Sequence, residues 1–587
     1  MIKIMKKTNK MERFLVLVSI AFIVVQVWLE LKIPDYMSEV TSQLQMPDTV
    51  ISDIMQPGMM MVLLSLLSFA SSVVVGYFVA RIAASLTSRL RGEVYHRVMD
   101  YSPDELHKFS IPSLITRTTN DITQIQQVVA MGLQVSIKGP ITAVWAIMKI
   151  ANKNWEWTVS TGVAVVVLLV MLTVILTIVQ PKFTVVQGLT DKLNSITREN
   201  LTGLRVVRAY NAEAYQNGKF NDANEEMTKV NLFTNRMMAI MSPGMTLVSS
   251  GLTLAVYWIG AYLIEAADGA MKITLFSDMV VFSSYAMQVV MGFMLMTVIF
   301  LILPRATVSA RRINEVLDME PSIQFPEDSG NIGKNKGEIE FSNVSFTYPN
   351  ASEAVIKNVS FKAKKGETVA FIGSTGSGKS TIVNLIPRFY DVTEGEIIID
   401  GKNVQSYSHE DLNDRIGYIP QKAVLFSGTI RSNVDFGKSG ASPLDDEKIN
   451  QALDIAQAKD FVEGKEEKLD SHVAQNGTNF SGGQKQRVAI ARAVAREPEF
   501  LIFDDSFSAL DYKTDKKLRD VLAEKVSDTT KLIVAQRIST IMDADEILVL
   551  DEGNVVGQGT HHSLLKSNRV YQEIAYSQLS KEELAHG

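Results

Sequence analysis

The chain has 587 residues, 46% of them hydrophobic, with a formal net charge of -6 and a mean hydropathy of +0.10. That length accommodates several domains. The acidic balance gives no support to nucleic-acid binding, which shows a clustered basic surface, and the absence of cysteine excludes disulfides, thiolate metal sites and cysteine nucleophiles.

Taken in chain order, the first half carries long apolar runs. A transmembrane helix needs about 20 mostly apolar residues. Met59–Ala80, Trp157–Val179, Met237–Ile264 and Met279–Pro304 meet that without a charge. Phe14–Leu31, with Gln26 and Glu30, and Val129–Ala151, with Lys138 and Lys149, complete a set of six. The pattern predicts an all-α transmembrane domain over 1–318, with helices at about 13–33, 57–85, 129–152, 156–180, 237–264 and 274–304. Lys138 and Lys149 read either as charges lining a channel or as side chains that snorkel towards an interface.

Lys and Arg favour the cytoplasmic side. Lys3, Lys6, Lys7 and Lys10 precede the first span, whereas Ile33–Gly58 has no Lys or Arg and carries Asp35, Glu39, Asp48 and Asp53. Basic residues return in Arg81–Ala130 and Gln180–Arg236. Both termini are therefore expected in the cytoplasm of a multi-pass protein of the cell membrane. No small-residue cleavage site follows the first apolar run, which argues against a cleaved signal peptide. The two long internal connections mix charged and apolar residues at helical spacing, so the membrane helices are expected to extend well into the cytoplasm.

A polar linker is read over 319–336, and a soluble α/β P-loop nucleotide-binding domain over 337–587. Its central element is GSTGSGKS: Gly373, Ser374, Thr375, Gly376, Ser377, Gly378, Lys379 and Ser380, with Thr381 opening the next helix. It follows the strand-like TVAFI, and matches G-x-x-x-x-G-K-[ST]. Glycines let backbone N–H groups curl around phosphate oxygens, and a helix N-terminus adds positive potential. Lys379 is expected to reach the β- and γ-phosphates of ATP, and Ser380 to hold Mg²⁺. Asp504, at the end of the apolar run LIF in LIFDDSFSALD, is expected to take the second magnesium role from a buried parallel strand beside the P-loop strand.

FSGGQKQRVAIARA, Phe480–Ala493, resembles the signature sequence of ATP-binding cassette (ABC) transporters. The resemblance extends over essentially the whole chain and implies a half-transporter of the exporter type. It implies that Tyr348 stacks on adenine, that Gln421 contacts magnesium, and that Ser481, Gly482, Gly483 and Gln484 form the signature. It further implies that Asp511 lies in the loop crossing to the opposite nucleotide site. Three positions depart from the family. Asp505 stands where a catalytic glutamate is usual, Gln536 replaces the switch histidine, and Gln475 stands where glutamate is frequent.

Aspartate is one methylene shorter than glutamate, and a misplacement of about 1 Å costs on the order of a hundredfold in rate. Glutamine carries neither a proton nor a charge. In the family, each ATP lies between one chain's P-loop and the other chain's signature. The chain is thus expected to be the slowly hydrolysing half of a bacterial heterodimer, its partner supplying the consensus catalytic residues. The resemblance to heterodimeric bacterial multidrug pumps implies amphipathic small molecules as cargo; Met287, Met291, Met294, Met296, Phe293 and Phe300 in the sixth span read either as an adaptable binding surface or as ordinary helix packing and lipid contact. Lipid or peptide export, or an ATP-gated channel or regulatory subunit, are the competing readings. Pro243 and Gly244 are read as loosening the fifth span.

Overall fold

The computed structural model describes all residues except 47–48, 152–153, 331–335, 350, 438–442, 581–583 and 585–587, and omits the side chains of 184, 270, 300 and 301. Asp48, part of the linker and the side chain of Phe300 therefore lie outside the described residues. The chain divides into two units: Met1–Met99 with Ile111–Glu320, and Asp100–Ser110 with Pro321–Gly587.

The first unit is helical. Six helices are long and apolar enough to cross a membrane: Lys10–Gln43, Ile51–Met99, Ile111–Ala151, Trp155–Thr202, Glu213–Ala266 and Met271–Asp318. At 1.5 Å per residue, the 49 residues of Ile51–Met99 reach about 70 Å, far beyond a hydrocarbon layer of about 30 Å. The first of these helices starts on a capping box, in which Asn9 accepts from the Glu12 N–H and Glu12 accepts from the Asn9 N–H. Glu12 also takes a bidentate pair from Arg89, at 2.8 and 3.0 Å, which ties the first helix to the second.

Pro243 has a local effect. Regular helix stops at Ala239 and resumes at Met241, so the interruption is a single residue, Ile240. Gly244 acts by its size: a Cβ there would come within 2.6 Å of Met171 Sδ. Small residues at such crossings let helix backbones approach. The aromatic Trp157 is fully buried and donates its indole N–H to the Val256 carbonyl at 3.1 Å, joining the fourth and fifth helices.

Lys138 and Lys149 both have carboxylate partners. Lys138 Nζ lies 2.8 Å from Glu30 Oε1, which also accepts from Gln26 Nε2 at 3.0 Å and Ser68 Oγ at 3.3 Å. Lys149 Nζ lies 2.7 Å from Asp35 Oδ2, and Tyr285 donates to the other oxygen of Asp35 at 2.5 Å. Carboxylates on the first helix thus neutralise both lysines, because an unpaired charge at membrane depth is costly.

In the second unit a six-stranded sheet runs in the order Asn554–Gly559, Glu546–Asp551, Thr368–Gly373, Thr530–Val534, Phe500–Asp504, Ile416–Ile419. Its first pair is antiparallel and the rest parallel. The central strands are buried on both faces, which is why FLIF of FLIFD and LIV of TKLIV are apolar without alternation. A second, antiparallel sheet contains Ile339–Phe346 and Ile356–Ala363. Phe341 and Phe361 stack at 4.5 Å, and Phe361 meets Phe371 of the parallel sheet at 5.4 Å, forming the core between the sheets. On the other face, Ile372, Phe503, Ile533 and Val549 pack among helices.

Asp100–Ser110 packs with this unit although its sequence neighbours belong to the other. Ser102 N-caps the helix Pro103–Phe109, and Glu105 accepts from the Ser322 N–H at 3.2 Å.

Breaking the Lys138–Glu30 pair from one side should cost more than removing both charges. Lys138→Met is expected to lower the thermal midpoint in lipid nanodiscs, and Lys138→Met with Glu30→Leu to recover most of the loss, with a coupling on the order of 1 kcal/mol. Equal losses in the single and the double variant would show that the pair contributes nothing.

Candidate functional site

The carboxyl ends of three adjacent parallel strands assemble the site. In the sheet, Val534 stands opposite both Asp504 and Phe371, so Thr530–Val534 lies between the strand of Asp504 and that of the P-loop. The expectation that those two strands are immediate neighbours is thereby corrected. The intervening strand matters because it leads directly into Ala535 and Gln536, delivering Gln536 between the P-loop and the paired aspartates. Ligand sites in such sheets lie in this crevice beyond the strand ends.

The P-loop needs its glycines. A Cβ on Gly373 would come within 2.0 Å of the Leu550 carbonyl. Gly378 has φ +96° and would place a Cβ 2.5 Å from Ile356 Cδ1. Lys379 opens the helix Lys379–Leu385 and folds back over the loop. Its Nζ donates to the carbonyls of Gly373 at 2.9 Å and Ser374 at 2.7 Å, and lies 3.4 Å from Ser377 Oγ. Burial lowers the pKa of this ammonium, and the nearby Asp505 and Asp504 partly oppose that.

Ser380 donates to Asp504 Oδ1 at 2.6 Å, joining the two residues proposed from sequence as magnesium ligands. Asp504 is 7% exposed, and burial raises its pKa. Asp505 follows with φ +50°, a left-handed conformation that aspartate tolerates better than most residues. Its N–H donates to the Val534 carbonyl at 3.0 Å, which fixes the turn. Its Oδ2 accepts two amides, from Gln536 Nε2 at 2.6 Å and from Gln421 Nε2 at 3.1 Å. Burial pushes the Asp505 carboxyl up as well, while hydrogen bonds such as that from Gln421 hold it down.

Tyr348 reaches the same neighbourhood. Its hydroxyl is 3.1 Å from Thr381 Oγ1, one residue after Ser380. Its ring is set edge-on by Phe346 at 4.8 Å and by Tyr390 at 5.3 Å. Ser481 caps the helix Gly482–Val494: its hydroxyl accepts from the Gln484 N–H, and the Gln484 side chain accepts from the Ser481 N–H. Ser481 and Gly482 are exposed. Asp511 caps the helix Tyr512–Lys525 through the Thr514 N–H at 3.0 Å, a bond that holds its carboxyl below the ordinary range. Gln475 is exposed in the turn Gln475–Gly477.

One partner has no mark in the sequence. Gln578, at the end of the helix Arg569–Gln578, bonds the backbone on both sides of Arg537. Thr381, read from sequence as part of the nucleotide site, lies in the helix Lys379–Leu385 and meets the Tyr348 hydroxyl. Glutamine at a helix end carries no motif, so no sequence signal marks Gln578.

Residues 356–508 match the family described as "ABC transporter", and residues 14–293 match "ABC transporter transmembrane region". An uncharacterized ABC transporter ATP-binding protein of Mycobacterium tuberculosis is 38% identical over 86% of this chain and 85% of its own length. The uncharacterized ABC transporter ATP-binding protein YfiB of Bacillus subtilis is 35% identical over 89% of this chain and 90% of its own length. The ATP-dependent lipid A-core flippase of Pseudomonas fluorescens is 32% identical over 85% of this chain and 81% of its own length. Among solved structures, a bacterial Atm1-family ABC exporter with ATP bound shares the fold at a TM-score of 0.81, with 23% identity, over 98% of this chain and 100% of the other.

Lys379→Met removes the group that satisfies the P-loop carbonyls and the charge expected to meet phosphates. Binding of a fluorescent ATP analogue should weaken on the order of a hundredfold, two or more charge-assisted bonds being lost. Unchanged affinity would place nucleotide binding elsewhere.

Proposed function

The chain belongs to the ABC transporter family, and from that premise we propose that it is one half of a heterodimeric exporter whose own P-loop site holds ATP but hydrolyses it slowly. The observation that carries this reading is the environment of Asp505. Two neutral amides, those of Gln536 and Gln421, donate to one oxygen of a carboxylate that is one methylene short of the usual glutamate. Those two donors occupy the oxygen they meet, the side chain falls short of a glutamate's reach, and neither amide takes a proton from it.

The binding parts are complete. Lys379 exchanges the carbonyls of Gly373 and Ser374 for phosphate oxygens, the loop N–H groups and helix N-terminus adding to its charge. Tyr348 offers its ring to adenine. Ser380, Asp504 and Gln421 form an oxygen-donor set that suits Mg²⁺, which is held by one or two carboxylates plus phosphates. Among the described residues no cluster of three or more His, Cys, Asp or Glu forms a metal cage, consistent with an ion that depends on the nucleotide for part of its shell. When bound, Mg²⁺ neutralises charge on the phosphates. The exposed Ser481–Gln484 turn serves the partner's P-loop, and Asp511 lies in the loop that faces it.

Cargo follows from the membrane unit. Met287, Met291 and Met294 lie on one exposed face of the sixth helix, at 50%, 50% and 39% exposure. Such a stripe adapts to varied apolar ligands, and we assign amphipathic small molecules as substrates, exported from the cytoplasm. Lipid is the second reading, favoured by the flippase among the relatives. The pairing of Lys138 and Lys149 with Glu30 and Asp35 counts against a channel, since it leaves no net charge from these residues to select an ion.

ATPase activity in lipid, for the chain alone and with its partner half, tests the assignment. Activity should be high only in the pair, should collapse on changing the partner's catalytic glutamate, and should change little in Asp505→Ala. Full activity from a dimer of this chain alone would overturn it.

The amide network also predicts that Asp505→Glu alone will not restore turnover. Adding Gln536→His should raise it by about tenfold or more over the single variant, as expected for a recovered acid–base group. Restoration by Asp505→Glu alone would show that reach was the only defect.

A further inference from the structure

Gln536 reaches Asp505 only if the backbone at 535–538 holds one conformation. Ala535 is fixed from one side, its N–H donating to the Phe371 carbonyl at 3.1 Å as the last bond of the parallel sheet. Beyond it the chain leaves the sheet, and Gln536 and Arg537 are exposed. Arg537 itself makes only long contacts, 3.5 Å to the Leu510 carbonyl and 3.4 Å to that of Ser508. The grip comes from Gln578. Its Nε2 donates to the Gln536 carbonyl at 2.8 Å, and its Oε1 accepts from the Ile538 N–H at 2.8 Å. One side-chain amide therefore pairs with the two peptide groups flanking Arg537, as a neighbouring strand would.

The platform behind Gln578 is firm. Tyr571 and Ala575 on the same helix are fully buried. Asn568 caps that helix through the Tyr571 N–H at 2.8 Å and donates to the Val556 carbonyl at 2.7 Å. The Tyr571 hydroxyl lies 2.6 Å from His561 Nδ1. The helix that carries Gln578 is thus anchored through its N-terminal end and through Ala575, one turn before Gln578.

We infer that Gln578 is a positioning residue for the nucleotide site: by clamping both peptides around Arg537, it holds the Gln536 amide against Asp505 and sets how tightly the site retains nucleotide. The inference deepens the reading of a retentive, slowly hydrolysing site and rests on it. Gln578 touches neither nucleotide nor Asp505, so its effect passes through Gln536.

The test is a double-mutant cycle on the full chain in lipid, in whichever dimer it forms. The readings are the release rate of trinitrophenyl-ATP, kcat and KM for ATP, and the thermal midpoint. Gln578→Ala and Gln536→Ala should each speed nucleotide release by about fivefold, a fraction of the rate lost on a full 1 Å misplacement, and the double variant should add less than about twofold to either, as coupled residues do. Gln578→Glu keeps the acceptor for Ile538 and loses the donor to Gln536, and should match the alanine variant. Full additivity, a lowered midpoint with unchanged release, wild-type behaviour of Gln578→Glu, or a silent Gln536→Ala beside an active Gln578→Ala would each overturn the inference. The cycle reads coupling whatever the absolute turnover. If the site proves fast, through a large loss of activity in Asp505→Ala, the functional assignment falls while the cycle still decides the clamp.

Discussion

One carboxylate oxygen, Oδ2 of Asp505, accepts from two glutamines at 2.6 and 3.1 Å, and the character of the site follows from that arrangement. The three residues come from three places: the loop after Ile416–Ile419, the end of Phe500–Asp504 and the end of Thr530–Val534. A parallel sheet brings such ends to one edge because all its strands run the same way. Asp505 is the middle of the set, and its left-handed backbone turns the side chain towards both amides. The network is self-consistent: two donors meet one ionised acceptor, so no partner is left unsatisfied in a buried place. Asp505 and Gln536, the two residues read as departures from the family, are thus bonded to each other.

Binding and hydrolysis are separable on this scaffold for a physical reason. Phosphate binding draws on loop N–H groups, a helix N-terminus and Lys379, all set by the glycines and the strand–loop–helix path. On the proposed reading, hydrolysis draws on the reach and basicity of Asp505, at the end of the next strand but one. A change of one methylene at Asp505 leaves the first set untouched. Ser380 and Asp504 remain joined at 2.6 Å, and Lys379 is held over the loop.

Much of this was legible in the sequence because local patterns dictate it. Six apolar stretches, a P-loop between an apolar strand and a helix, and a serine–glycine cap before Gln484 are all short-range signals. The apolar run before Asp504 marks a buried parallel strand, but periodicity does not encode which strand it neighbours. The order in the sheet supplies that, and explains why residue 536 matters. The pairing of Lys138 and Lys149 escapes a sequence reading for the same reason: their partners Glu30 and Asp35 lie 108 and 114 positions away, beyond any pattern in a window. Gln578 was invisible because its function is to bond backbone, and backbone has no sequence signature.

The membrane unit follows the same logic of compensated polarity. The first helix carries Gln26, Glu30 and Asp35, which alone would weaken it as a span. Each finds its counterpart on another helix or one turn away, and Tyr285 contributes from the sixth. Polar groups so placed fix which helices pair and in what register, since sliding either helix by one residue would strand a charge in hydrocarbon. Apolar contacts such as the exposed methionines of the sixth helix tolerate such sliding. The charged pairs thus specify the bundle, and the soft apolar face is left free to adapt.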